Sequence, residues 1–168
     1  MVTVVERDVV FCEACLEPLD RKVKGRVLAP GSPGYDDARR PWNLTVEQHP
    51  ALIVLAADAD DVAAAVRWAA EADLKVAVQA TGHGVVTPAD GALLIVTSAM
   101  RGVSVDPLTR SARVEAGTKW GEVLAAAQVH GLAPLLGSSP DVGAVGYTLG
   151  GGLGWLARKY GLSADSVR

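Results

Sequence analysis

Between Gly131 and Gly161 the chain places nine of its 18 glycines, and within that stretch "APLLGSSPDVGAVGYTLGGGLGWLA", Ala133 to Ala157, has Asp141 as its one charged residue. A segment so poor in side chains cannot be held by side-chain packing alone. Glycine lets backbone approach another surface closely and exposes N–H groups that suit an anion or a polar ring edge. The physical reading is a cofactor cradle, with a set of tight turns in a loop-rich region as the alternative.

The rest of the chain is an ordinary globular sequence. Hydrophobic residues make up 49% and charged residues 21%, while only 5% are aromatic, so Val, Leu and Ala must carry the core. A chain of 168 residues is one domain or part of a larger one, long enough to bury roughly 70% of its unfolded surface. The formal charge of -3 leaves no basic excess for phosphates, which argues against a nucleic-acid partner. The longest clean apolar run, "ALIVLAA" from Ala51 to Ala57, is too short to span a bilayer. "MVTVVERDVV" shows no basic leader, so the expected location is the cytoplasm, away from membranes.

Along the chain, residues 1–23 and the turn-rich "LAPGSPGYDDARRPWN" after them read as a lead-in. "ALIVLAA" has the continuous apolar character of a strand buried on both faces. Asp58 then suits a helix N-cap, and Val62, Ala65, Val66 and Ala69 recur at helical spacing up to about Asp73. "KVAVQA" follows as a second strand, which completes a βαβ unit. "ALLIVT" is a further buried strand, and "GVSVDPLTRSARVEAG" reads as a hairpin turning at Asp106 and Pro107, with Ala112, Val114 and Ala116 on one face. A second helix starts after Thr118, with Trp120, Val123, Leu124 and Ala127 on one side and Gly131 as its stop. The expected class is α+β, a βαβ start followed by further strands and a second helix.

Few short motifs carry chemistry by themselves. Cys12 and Cys15 in "CEAC" offer a redox pair or half a zinc site, but no second cysteine pair or H-x-x-x-H completes a metal shell, and two small apolar residues is the plainer reading. Gly152, Gly154 and Ala157 satisfy a loose G-x-G-x-x-A, yet they lie near the end of the sequence rather than in the first βαβ unit, where a dinucleotide fingerprint belongs. His130 sits at a helix end and His49 in a loop, where neither needs a function. His83 differs, because it follows the second strand of the βαβ unit, where open α/β sheets place ligands, and Gly82 and Gly84 clear its approach.

Taken together, four stretches resemble one family. "GRVLAPGSPGYDDARRPWN", "DADDVAAAVRWA", "VQATGHG" and "GSSPDVGAVGYTLGGGLGWLARKYGLSAD" occur in the order found in the FAD-binding domain of the FAD-linked oxidases of the berberine bridge enzyme-like group, within the p-cresol methylhydroxylase and vanillyl-alcohol oxidase superfamily. The resemblance runs from about Lys24 to Arg168. It implies FAD as cofactor, covalently joined through His83, with Ala80, Thr81, Gly82 and Gly84 in the same loop. It further implies that backbone from Ser138 through Ser139, Asp141, Val142 and Gly143, with Gly146, Gly150, Gly151 and Gly152, lines the flavin. Some family members carry a second flavin bond through a cysteine; Ser139 stands at the matching position, so one link is expected. Where the family loop often has an Arg and extra glycines, this chain has Gln79, Ala80 and Thr81.

The resemblance also sets the expected organisation. Residues 1–23 would be the lead-in and 24–168 an FAD-binding domain of the p-cresol methylhydroxylase type, incomplete at its C-terminus, with the substrate domain absent. The expected activity is hydride transfer from a small-molecule alcohol, sugar or similar C–H donor to flavin, with reoxidation by oxygen. The alternative is a flavin-binding module without activity of its own, needing a partner chain that carries the substrate half. No catalytic acid or base emerges from Tyr35, Tyr147 or Tyr160, and no metal site is expected.

Overall fold

The computed structural model describes residues 19–168, so Cys12 and Cys15 lie outside the described residues. These residues form two compact units. One holds the chain up to Gln79 together with Val85–Val96, and the other holds Ala80–Gly84 and Thr97–Arg168.

The first unit is built on a four-stranded sheet of β1 (Arg26–Leu28), β2 (Leu52–Leu55), β3 (Val76–Gln79) and β4 (Leu93–Val96) in the order β1-β2-β4-β3. β1 runs antiparallel to β2, whereas β2, β4 and β3 are mutually parallel. The expected strand–helix–strand unit is present as β2, α2 (Ala59–Glu71) and β3, but its two strands do not pair with each other. β4 lies between them. Its four residues are all buried, and Leu52, Ile53 and Val54 of β2 are fully so, which is why both sequences are unbroken apolar runs. β3 is an edge strand, and Val76 and Val78 stay exposed.

The turn-rich lead-in is more structured than its composition indicates. It supplies β1 and a short helix α1 (Tyr35–Arg39), whose Tyr35 joins Leu28, Ile53, Leu94 and Val96 in one core cluster. Buried Gln48 donates from Nε2 to the carbonyl of Arg39 (2.6 Å) and to Gln79 Oε1 (2.8 Å). These bonds satisfy an amide that burial would otherwise leave costly.

Asp58 caps α2 as expected, accepting from the N–H groups of Asp60 (3.0 Å) and Asp61 (3.1 Å). The buried stripe of α2 is rotated from the expected one: Asp61, Ala64, Ala65, Trp68 and Ala69 face inward, while Val66 is exposed and Val62 half-buried. The reason is Asp61. Its carboxylate, 1% exposed, accepts from the backbone N–H groups of Lys24 (2.7 Å), Gly25 (2.9 Å) and Ala57 (2.8 Å). Three charge-assisted bonds fix the helix's rotation and tie the lead-in to the strand–helix turn. A Cβ on Gly25 would collide with the carbonyl of Leu55, so this junction admits no side chain there.

The second unit holds the hairpin of β5 (Val103–Asp106) and β6 (Ser111–Val114), the helix α3 (Trp120–Gln128), two short helices α4 (Ala144–Leu149) and α5 (Ala157–Tyr160), and a 3₁₀ turn, Ser163–Ser166. Asp106 builds the hairpin turn by accepting from the N–H groups of Leu108 (2.9 Å) and Thr109 (3.3 Å) and from the Thr109 hydroxyl (2.7 Å). The expected inward face is only partly kept, since Ala112 is exposed. Val103 and Val114 pack against the cluster of Trp120, Val123 and Ala144. α3 buries Trp120, Val123 and Ala127, and Gly131 ends the segment after it at φ 66°.

Asp61→Ala should lower unfolding free energy by about 2 kcal/mol or more, because three partly buried N–H groups lose their acceptor together. Urea unfolding of the two proteins measures this, and a loss under about 1 kcal/mol would mean that water replaces the carboxylate.

Candidate functional site

His83 sits in the turn Ala80–Gly84, which belongs to the second unit. The segment Ser138–Gly143 lies in the same unit and is fixed by backbone bonds to the start of α3. Gly121 N–H donates to the carbonyl of Pro140 (2.8 Å), Trp120 N–H to that of Val142 (2.9 Å), and Ala144 N–H to that of Thr118 (2.9 Å). The two segments meet at Gly143. A Cβ there would stand 3.4 Å from Thr81 Oγ1 and 3.5 Å from Ala80 Cβ. The structure thus joins Ala80, Thr81, Gly82, His83 and Gly84 to the stretch holding Ser138, Ser139, Asp141, Val142 and Gly143.

The remaining glycines serve two different purposes. Gly152 and Gly154 are required by packing within the chain: a Cβ on Gly152 would collide with Ser163, and one on Gly154 with the Leu136 carbonyl. Both also border the ring of Tyr147, as does Gly137, whose Cβ would lie 3.0 Å from Tyr147 Cε2. Gly151 and Gly152 are further tied to the 3₁₀ turn, their carbonyls accepting from Ala164 (3.1 Å) and Ser163 (3.0 Å). Gly84 and Gly146 are different, since an added Cβ at either would meet nothing within 4 Å.

Thr81, Lys119 and Asp141 act on His83. Its Nδ1 is 2.9 Å from Thr81 Oγ1. Burial holds its pKa below the ordinary histidine value and Lys119 pushes the same way, while Asp141 opposes them. Lys119 and Asp141 also pair with each other, at 3.3 Å. The neutral imidazole is therefore favoured, the form with a lone pair to offer. Lys119 was not expected at the site. Nothing in "GTKWGE" marks it, because its role follows from the bridge that sets Lys119 opposite Gly143. Its own N–H donates to Glu122 Oε2 (2.9 Å), which opens α3.

Trp120 and Tyr147 pack edge to face, with ring centroids 5.5 Å apart and planes at 88°. Trp120 Nε1 and the Tyr147 hydroxyl are buried with no hydrogen-bond partner among the described residues. His130 and His49 are exposed, and His49 lies near Glu47 and Asp90. Among the described residues no group of three or more His, Cys, Asp or Glu side chains is placed to hold a metal ion, and no helix is long and apolar enough to cross a membrane.

The sequence model of the family described as an FAD binding domain matches residues 50–168. The chain belongs to this family. Among curated proteins, (R)-6-hydroxynicotine oxidase of Paenarthrobacter nicotinovorans is 34% identical over 148 residues, covering 86% of this chain and 32% of that protein. Among solved structures, 6-hydroxy-D-nicotine oxidase of Arthrobacter nicotinovorans matches with a TM-score of 0.78 at 34% identity, over 85% of this chain and 32% of that one. A BBE-like protein of Physcomitrella patens matches with a TM-score of 0.79 at 28% identity, over 89% and 34%. The chain spans about a third of the length of the curated relatives it matches.

The cofactor is FAD, and the second unit fits it. Backbone left open at Gly84 and Gly146 offers close approach, and the two orphaned donors, Trp120 Nε1 and the Tyr147 hydroxyl, lie among the residues packed on the same glycine-rich stretch. The flavin dinucleotide supplies a two-electron acceptor when bound.

Two predictions separate packing from binding. Gly152→Ala should cost about 2 kcal/mol or more, since φ is 73° there and the methyl group meets Ser163. Gly146→Ala, inside a helix and in open space, should change stability by less than about 1 kcal/mol and in the stabilising direction. Thermal unfolding of both variants checks the contrast. For His83, an NMR titration of the imidazole should place its midpoint below the ordinary histidine value. Asp141→Asn should lower it further and Lys119→Met should raise it, and the reverse order would contradict the arrangement described.

Proposed function

We propose that residues 24–168 form the flavin-binding part of an FAD-dependent oxidoreductase in which His83 carries the flavin covalently. Hydride would pass from an alcohol, sugar or similar C–H donor to the flavin, with oxygen as the final acceptor. The observation that carries this reading is the junction at Gly143, where the turn bearing a neutral-favoured imidazole packs on the glycine-rich segment in a chain of the FAD binding domain family.

This chain's residues divide the work. The turn Ala80–Gly84 presents His83, and the backbone of Ser138–Gly143 with Gly146 and Gly150–Gly152 lines the cofactor. Joining an imidazole nitrogen to the flavin 8α-methyl consumes one methyl C–H and one imidazole N–H, and the two electrons and two protons released leave with dioxygen as hydrogen peroxide. A neutral imidazole is the nucleophile such a bond needs, and burial, with Lys119, favours that form. The relatives support a small-molecule substrate, since one is named an oxidase of 6-hydroxynicotine.

Acid precipitation of the chain purified with its flavin tests the tether. Yellow colour should stay with the pellet, and His83→Ala should release it to the supernatant while leaving the circular dichroism spectrum unchanged. Colour confined to the supernatant in the parent protein removes the covalent bond, and colour retained by His83→Ala places it on another residue.

A further inference from the structure

The turn that bears His83 is an excursion: the chain leaves the first unit at Gln79, the last residue of β3, and rejoins it at Val85. Both ends of this excursion bond to one side chain. Gln48, fully buried, donates from Nε2 to Oε1 of Gln79 (2.8 Å), and its own Oε1 accepts from the N–H of Ala89 (3.3 Å). We propose that Gln48 is a positioning residue for His83: it clasps the chain on either side of residues 80–88 and so holds closed the loop that carries the imidazole.

Backbone groups decide the direction of every bond in the clasp. Gln48 Nε2 also meets the carbonyl of Arg39 (2.6 Å), which can only accept, while Gln48 Oε1 meets the N–H of Ala89, which can only donate. The amide therefore has one orientation, since turning it over would set acceptor against acceptor and donor against donor. Gln79 is fixed in the same way: its Nε2 donates to the carbonyl of Arg40 (3.3 Å), which leaves its Oε1 to accept from Gln48. Both glutamines are buried, where such bonds are stronger than in water. Neighbouring bonds reinforce the returning end. His49 N–H donates to Asp90 Oδ1 (2.6 Å), Gly91 N–H to the carbonyl of His49 (3.0 Å) and Ala51 N–H to that of Ala92 (2.9 Å), so residues 89–92 are bonded alongside 48–51. The departing end is held by the pairing of β3 with β4, which continues to Gln79 opposite Val96. A loop whose ends are held in this way has fewer arrangements to give up when it takes a ligand.

That the loop is held in order to seat a flavin tether rests on the reading of His83 as the flavin-bearing residue, and the full chain in two states keeps the two ideas apart. In the flavin-free protein, Gln48→Met keeps the length of the side chain and removes its donor and acceptor. Amide hydrogen exchange across residues 80–89 should then quicken by about tenfold or more, while the amides of β2 and β4 keep their rates within about twofold. Gln79→Leu removes the bond at the departing end and leaves the one to Ala89; it should quicken exchange in residues 80–84, and it carries the test if Gln48→Met does not fold. In the flavin-loaded protein, the fraction of bound flavin that stays with the chain after acid precipitation should fall severalfold in both variants. Loop exchange that neither variant moves overturns the clasp. Exchange that quickens equally in β2, β4 and the loop overturns it as well, because Gln48 would then serve the stability of the first unit as a whole. Faster loop exchange with the covalent fraction unchanged overturns the positioning of His83. Faster loop exchange in a chain whose parent forms no covalent flavin leaves Gln48 clasping the loop and overturns the reading of His83 as the tether.

Discussion

In the second unit, backbone lies directly on backbone. A Cβ on Gly117 would collide with the carbonyl of Thr97, one on Gly154 with that of Leu136, and one on Gly152 with Ser163. No side chain can be added at these points without moving main chain, so the segments they join are held by carbonyls and N–H groups rather than by interdigitated side chains. Main-chain packing leaves little room to relax, which is what a surface meant to hold a flat, polar cofactor in one pose requires. The Trp120 and Tyr147 rings fill the space that the glycines leave and form, with Val123 and Ala144, the small core under the site.

The first unit follows the opposite strategy. Its strands β2 and β4 bury every side chain or nearly so, and Asp61 closes the junction between lead-in, strand and helix with three charge-assisted bonds. Aliphatic burial is a repeating signal, and the parts of the fold that depend on it were legible from the sequence: β2, α2 with its Asp58 cap, β4, and the helix α3. What was not legible depends on contacts distant in sequence. β4 inserts between β2 and β3 although the chain reaches it last, and β1 reads as loop because three residues between turn formers carry no period. Asp61 is a helix-surface residue by composition and a core residue by its partners, 36 and 37 positions away.

At the site, the residues divide in the same manner. His83 between two glycines was visible as a feature, and the family resemblance gave it a role, but its surroundings were hidden. Lys119 arrives through a single bridge to Gly143, and Thr81 through a contact two residues away that only the turn geometry creates. The glycines were read as one cradle. Gly137, Gly152 and Gly154 also make room for Tyr147, and a glycine in a sequence does not reveal what occupies the space beside it.

The charge balance at His83 follows from this packing. Lys119 and Asp141 act on the imidazole with opposite signs and at the same time neutralise one another at 3.3 Å, so neither dominates the ring. Burial is what remains, and it is the largest influence on the imidazole. The turn that bears His83 meets Ser138–Gly143 at Gly143, which lies against Thr81 and Ala80. The absence of a side chain at position 143 thus lets the two segments touch beside a ring whose burial favours the neutral form. A larger residue at position 143 would press on Thr81 and Ala80, and so on the turn that carries the ring.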